Sequence, residues 1–115
     1  MKEELLARYR DLVTGIAAVD HLVREGIELY KAHLLLADGS SLRVSEVWID
    51  GRLKKYSYYW LDESEKLIVG WDNAPHHPEL KTHPHHLHTA TGSRDSTIQN
   101  LEDALELLSK QINAS

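Results

Sequence analysis

The sequence predicts an α+β fold: an antiparallel β-meander of about five strands, with an N-terminal and a C-terminal helix packed on one face. Three observations carry that expectation. Apolar residues recur at helical spacing near the two ends, the middle of the chain alternates with period two, and turn dipeptides punctuate the alternation. At 115 residues, 42% hydrophobic and 27% charged, the chain has apolar material for one modest core. A single domain over residues 1–115 is therefore expected.

The elements follow in order. Leu5, Leu6, Tyr9, Leu12, Val13 and Ile16 fall at helical spacing, which predicts a helix over residues 2–13 ended by Gly15. In residues 16–24, Val19, His21 and Val23 alternate, which favours a short strand. Strands are expected near 27–37, 41–50, 53–62 and 65–72. Their connections carry Asp38-Gly39-Ser40, Asp50-Gly51 and Asp62-Glu63-Ser64-Glu65, and Asp-Gly between alternating runs is the strongest of these hairpin signs. After Trp71 the pattern stops. All three prolines lie in residues 73–84, which predicts an irregular surface loop. His86, His88 and Ala90 suggest one more short strand. Ser96 and Gln99 have capping-box spacing, and Leu101, Ala104, Leu105, Leu108 and Ile112 give a closing amphipathic helix.

Composition narrows the function classes. There is no cysteine, so disulfides, thiolate metal sites and cysteine nucleophiles are excluded. The start, Met1-Lys2-Glu3-Glu4, does not read as a signal peptide, and the longest apolar runs are 16–19 and 34–37. A cytoplasmic protein with no membrane partner is the expectation. The formal charge of −5 argues against constitutive nucleic-acid binding. The acids gather in the terminal helical segments, however, while the middle carries Lys31, Arg43, Arg52, Lys54, Lys55, Lys66 and Lys81.

The exceptional stretch runs from Asp72 to His88 and places six histidines within the thirteen residues 76–88. Histidine changes charge near neutral pH, moves protons and binds metals as neutral imidazole. A solvated, mildly metal-sticky loop is the bland alternative. Against it, Pro75, Pro78 and Pro84 each adjoin a histidine and stiffen its backbone, and Asp72 can orient an imidazole. The candidate reaction residues are Asp72, His76, His77, His85, His86 and His88. The aromatic strand Tyr56-Ser57-Tyr58-Tyr59-Trp60 reads mainly as core, since the chain has no phenylalanine, with Tyr58 as a candidate substrate contact. Glu46 is expected on a solvated face, and His21 and His33 read as structural or surface residues.

Asp72-Asn73-Ala74-Pro75-His76-His77-Pro78-Glu79, followed by Pro84-His85-His86 and His88, resembles the TumE-like family of prokaryotic toxin–antitoxin toxins. The likeness extends over about residues 34–88 and takes in Ser45-Glu46 and Tyr56-Ser57-Tyr58. It implies a toxin role and a cognate antitoxin partner. His83 and Leu87 depart from the family's pattern, which more often holds Phe and Lys there.

Three readings follow. The first is a metal-independent ribonuclease with no cofactor, in which histidines of residues 76–88 act as acid and base on RNA while Lys81 or Arg94 steadies the developing charge. In the second, His86 and His88, pointing the same way along an extended segment, join Asp72 or His76 or His77 to hold zinc or another divalent metal in a hydrolase or nuclease. The third is a non-catalytic protein-binding module. A homodimer is a further candidate assembly.

Overall fold

A computed structural model describes residues 2–113 of the chain. Helix α1 (Lys2–Arg8) leads into strands β1 (Val13–Arg24), β2 (Ile27–Leu36), β3 (Ser41–Ile49), β4 (Arg52–Leu61), β5 (Leu67–Asp72), β6 (His86–Thr89) and β7 (Gly92–Asp95), and α2 (Leu101–Asn113) closes the chain. The strands form one seven-stranded antiparallel sheet in sequence order. The α+β meander is as expected, with seven strands instead of five.

The differences are local. The N-terminal helix stops at Arg8, and residues 9–12 continue as tight turns in which Leu12 and Val13 donate to the Tyr9 carbonyl at 2.9 and 2.8 Å. Leu12 is buried at the start of the sheet, so the apolar residues that extend the helical spacing belong to a turn and a strand. Gly15 is a strand residue beside a register shift and ends no helix. Strand β1 is correspondingly longer than expected, and β5 begins at Leu67 because Asp62 Oδ1 accepts from the Ser64 and Lys66 amides and holds the turn. The polar strand β7 was invisible to hydrophobic alternation. Helix α2 is capped by Asn100, whose side chain accepts from the Asp103 amide at 2.8 Å while Asp103 accepts from Gln99 N–H. Ser96 instead closes a turn onto Ile98.

Two hairpins rest on paired positive φ angles, Glu25-Gly26 at 46° and 83° and Asp50-Gly51 at 50° and 80°. These turns match the strands' right-handed twist. Alternation then divides the sheet. Tyr30, Ala32, Leu34, Leu42, Val44, Tyr56, Tyr58 and Trp71 face the helices and pack with Leu101, Ala104, Leu105 and Leu108 of α2. Helix α1 covers the same face through Leu5 and Leu6, and is tied to α2 by Tyr9–Glu106 and Arg8–Glu102 contacts of 2.8 and 3.0 Å. The other face has no helix over it. Along the free strand β1, Ile16, Val19, Leu22 and Val23 are each at least half exposed. Among the described residues, no helix is long and apolar enough to cross a membrane.

Glu46 faces the helices, not solvent, and is only 2% exposed. The Tyr58 hydroxyl donates to it at 2.6 Å, the Trp48 indole N–H donates at 3.3 Å, and the Lys2 ammonium pairs with it from above. A buried carboxylate survives only with such partners. Burial, then the Glu46 charge, pushes the Tyr58 hydroxyl far above its ordinary value, so it stays a donor. Replacing Tyr58→Phe leaves that carboxylate short of a partner and is expected to lower unfolding free energy by about 1–3 kcal/mol in urea titrations. A loss of a few tenths would show that Glu46 does not depend on the hydroxyl.

His85 also turns to the helix side. The Tyr56 hydroxyl donates to the Ile98 carbonyl at 2.8 Å, so His85 Nδ1–H donates to the hydroxyl oxygen, also at 2.8 Å. Burial, reinforced by the His86 charge, lowers the His85 pKa from its ordinary value. The unfolded chain therefore takes up this proton near pH 6.5 and the folded chain only at lower pH. The stability His85 contributes is complete above that pH and is lost as pH falls below it. Denaturation midpoints of wild type and His85→Gln between pH 7.5 and 5 are expected to converge as pH drops; parallel curves would contradict the assignment.

Candidate functional site

Strand β5 ends at Asp72, residues 73–85 loop away, and β6 returns beside β5 so that Asp72 pairs with His86 and Gly70 with His88. His86 and His88 are two apart on a strand, so both side chains reach the helix-free face on which Asp72 lies. The sequence builds this by alternation: Trp71 and Leu87, one residue away from Asp72 and His86, point into the core side and anchor the register.

The three side chains converge. Asp72 Oδ1 lies 2.9 Å from His86 Nε2, and Oδ2 lies 2.6 Å from His88 Nε2. The two Nε2 atoms are themselves 2.9 Å apart. The ligand-capable atoms of the trio all lie within 4.8 Å of one another. His86 is 1% exposed and Asp72 is buried, whereas His88 retains access to solvent.

The rear of each ring is also fixed. His86 Nδ1 lies 2.9 Å from the Pro84 carbonyl, which can only accept, so the proton resides on Nδ1. His88 Nδ1 lies 3.1 Å from Ser93 Oγ, which also sits 3.2 Å from His77 Nε2. With Nδ1 protonated, a neutral His86 directs its Nε2 lone pair at Asp72 Oδ1, while the His88 Nε2–H donates at Oδ2. Asp72 Oδ1 receives one backbone donor, the Ala74 amide at 3.0 Å, which leaves that repulsion in place. One positive charge at the convergence point removes it: an added proton that makes His86 an imidazolium, or a cation held by all three residues.

The donor set suits a divalent ion such as zinc. Two imidazoles and a carboxylate, each imidazole held from behind through its second nitrogen, form a recurrent metal-ligand arrangement. Around a zinc ion, tetrahedral ligand atoms stand about 3.4 Å apart, so these groups would have to spread by roughly half an ångström.

The other sequence candidates fall elsewhere. His77 stands beside the trio, its ring centroid 5.2 Å from that of His86, with Nδ1 3.0 Å from Glu79. His76 is exposed in the loop, and His85 is committed to Tyr56 on the opposite face. Tyr58 is completely buried among core residues and cannot touch a substrate at the trio. Lys81 is exposed, with its amide bound to Asp95, and Arg94 pairs in register with Leu87, which puts it on the opposite face from His88. Leu87 packs against the core, so its departure from the expected lysine changes the helix side and not the trio. Ser93 and the Pro84 carbonyl were missed. A polar strand gives no periodic sign, and a carbonyl has no sequence signature.

Comparison with curated proteins and with solved structures gives no match. A family profile described as Toxin TumE matches residues 3–114, nearly the full 115 residues, and the chain belongs to that toxin family.

Proposed function

We propose that the protein is the toxin of a toxin–antitoxin pair and acts as an endoribonuclease, with Asp72, His86 and His88 holding a divalent cation at its reaction centre. The observation that supports this reading is the convergence of two Nε2 atoms and one carboxylate, both imidazoles held from behind, on the helix-free face of the sheet, where His88 retains access to solvent. A cation there would polarise a phosphoryl oxygen and acidify a bound water. His77, half-exposed and hydrogen-bonded to Ser93, is the nearest further imidazole able to carry a proton to or from the substrate.

Histidine catalysis without metal takes second place. Cleavage through the 2′-hydroxyl forms the O2′–phosphorus bond and breaks the bond to O5′, so a base must act on one side of phosphorus and an acid on the other. His86 and His88, 2.9 Å apart on one carboxylate, are too close to flank a phosphate as separate acid and base. The metal-free version therefore needs His77 as one partner and the Asp72-bound pair as the other. Its supporting observation is that a single proton also relieves the lone-pair conflict at His86.

RNA cleavage by the purified protein separates these readings. Cleavage of single-stranded RNA is expected to fall at least about a hundredfold in EDTA, to return on adding Zn²⁺ or Mn²⁺, and to fall similarly in His88→Ala. Activity that survives EDTA yet disappears in His88→Ala would assign the reaction to histidines alone. Absence of cleavage under every metal condition would sink the nuclease reading and leave toxicity by binding.

A further inference from the structure

We infer that the helix-free face of the sheet is a track for single-stranded RNA, leading from β2 across Tyr59 to His88; this deepens the nuclease reading and rests on it for the fate of the RNA. Two cross-strand rows define the track. One runs Lys31, Ser45, Ser57, Asp72, His86, and the other runs His33, Arg43, Tyr59, Gly70, His88. Register partners point to the same face, so both rows lie on the side that no helix covers. From β2 to β6 the distance is four strand spacings, roughly 19 Å.

The rows are not a flat polar surface. Their β2–β4 part floors a depression of about 360 Å³, lined among others by Lys31, His33, Arg43, Ser45, Ser57 and Tyr59. Tyr59 also lines a second hollow together with His88, so the two hollows meet at that ring. Among the described residues, His33 Nε2 is the buried side-chain nitrogen or oxygen left without a hydrogen-bond partner, and it belongs to this depression. Such an atom calls for a ligand or a water.

The chemistry selects a nucleic acid strand. Lys31 and Arg43 are exposed on this face although the whole chain carries −5. Arg43 has an exposed Glu65 at 3.4 Å, a weak pairing that a phosphate can replace, and Asp20 on β1 is the register partner of Lys31 and lines the same depression. Tyr59 is 37% exposed, and its ring edge lies over Gly70, where an added Cβ would stand 2.3 Å from Cδ1. Glycine at 70 thus permits an aromatic platform to lean toward the strand that carries His88. An exposed aromatic flanked by cations on an open sheet stacks unpaired bases while the cations hold the backbone.

The test is binding of a short, labelled single-stranded RNA to the full chain carrying His88→Ala, which keeps the RNA intact, with cleavage rates measured in parallel on the otherwise wild-type chain. Tyr59→Ala is expected to weaken binding about tenfold, and Gly70→Ala to act in the same direction by displacing the ring. Lys31→Ala with Arg43→Ala is expected to reduce the salt dependence of log Kd by about 1.4, two phosphate contacts on a single strand. Arg8→Ala with Lys110→Ala, on the helices, is expected to change neither. RNA binding that is undetectable, that ignores the Tyr59 and Lys31/Arg43 changes, or that falls equally with the helix variants overturns the track. So does a result in which these changes impair binding of the antitoxin protein and spare RNA. Track-dependent binding without cleavage would retain the track and discard the nuclease; cleavage at unchanged rate in the track variants would do the reverse.

Discussion

Trp71 and Asp72 are adjacent in the chain and lie on opposite faces of the sheet, and the candidate site depends on which of them meets the helices. Side chains on a strand alternate with period two, so a slip of one residue would exchange every pair at once. Tyr58 would change places with Tyr59, Asp72 with Trp71, and His86 with Leu87. The register is held because the row Ala32, Val44, Tyr58, Trp71, Leu87 is apolar or aromatic from β2 to β6 and packs beneath the two helices. Burying that row stabilises the fold, and it leaves Asp72, His86 and His88 together on the other side. The site is therefore a consequence of core packing one residue away.

Two buried carboxylates differ in how the fold satisfies them. Glu46 has a phenol, an indole and an ammonium around it, all of them donors, so its charge is answered within the fold. Asp72 has one backbone amide and two imidazole nitrogens, and the tautomer of His86 is already set by Pro84. Beyond that amide, its other donor is the His88 Nε2–H at 2.6 Å, while the His86 Nε2 lone pair faces Oδ1. A buried acid of the first kind specifies a core, while one of the second kind is a candidate for binding.

The parts of this arrangement visible in the sequence are those with a period or a turn dipeptide. Alternation located β2 to β5 within a few residues, Asp50-Gly51 marked its hairpin, and the spacing of Leu101, Leu105 and Leu108 marked α2. What was hidden has physical causes. Leu12 keeps helical spacing but fills the core from a turn, since burial decides its place and propensity does not. Gly92 to Asp95 forms an edge strand from polar residues, because its pairing with β6 comes from backbone groups that every residue carries. Glu46 looked solvated because its partners, Lys2 among them, are distant in sequence or not expected to face it. The histidine-rich segment was conspicuous, but composition alone did not separate its members.

That separation follows from which histidines a strand holds. Of the six between His76 and His88, the pair on β6 is fixed by the ladder, while His76 and His83 are exposed in the loop and His85, one residue before the strand, is turned by the same alternation toward Tyr56. Reaction centres need their groups held to a fraction of an ångström, and rigid elements hold them better than loops. The prolines accordingly act less by presenting imidazoles than by shaping the segment that leaves β5 and returns to it. Pro84 does so most directly: its carbonyl fixes the proton on His86 Nδ1 and thereby turns the Nε2 lone pair toward Asp72. A segment that reads as a histidine-rich loop thus places its candidate site at the first and third residues of a four-residue strand.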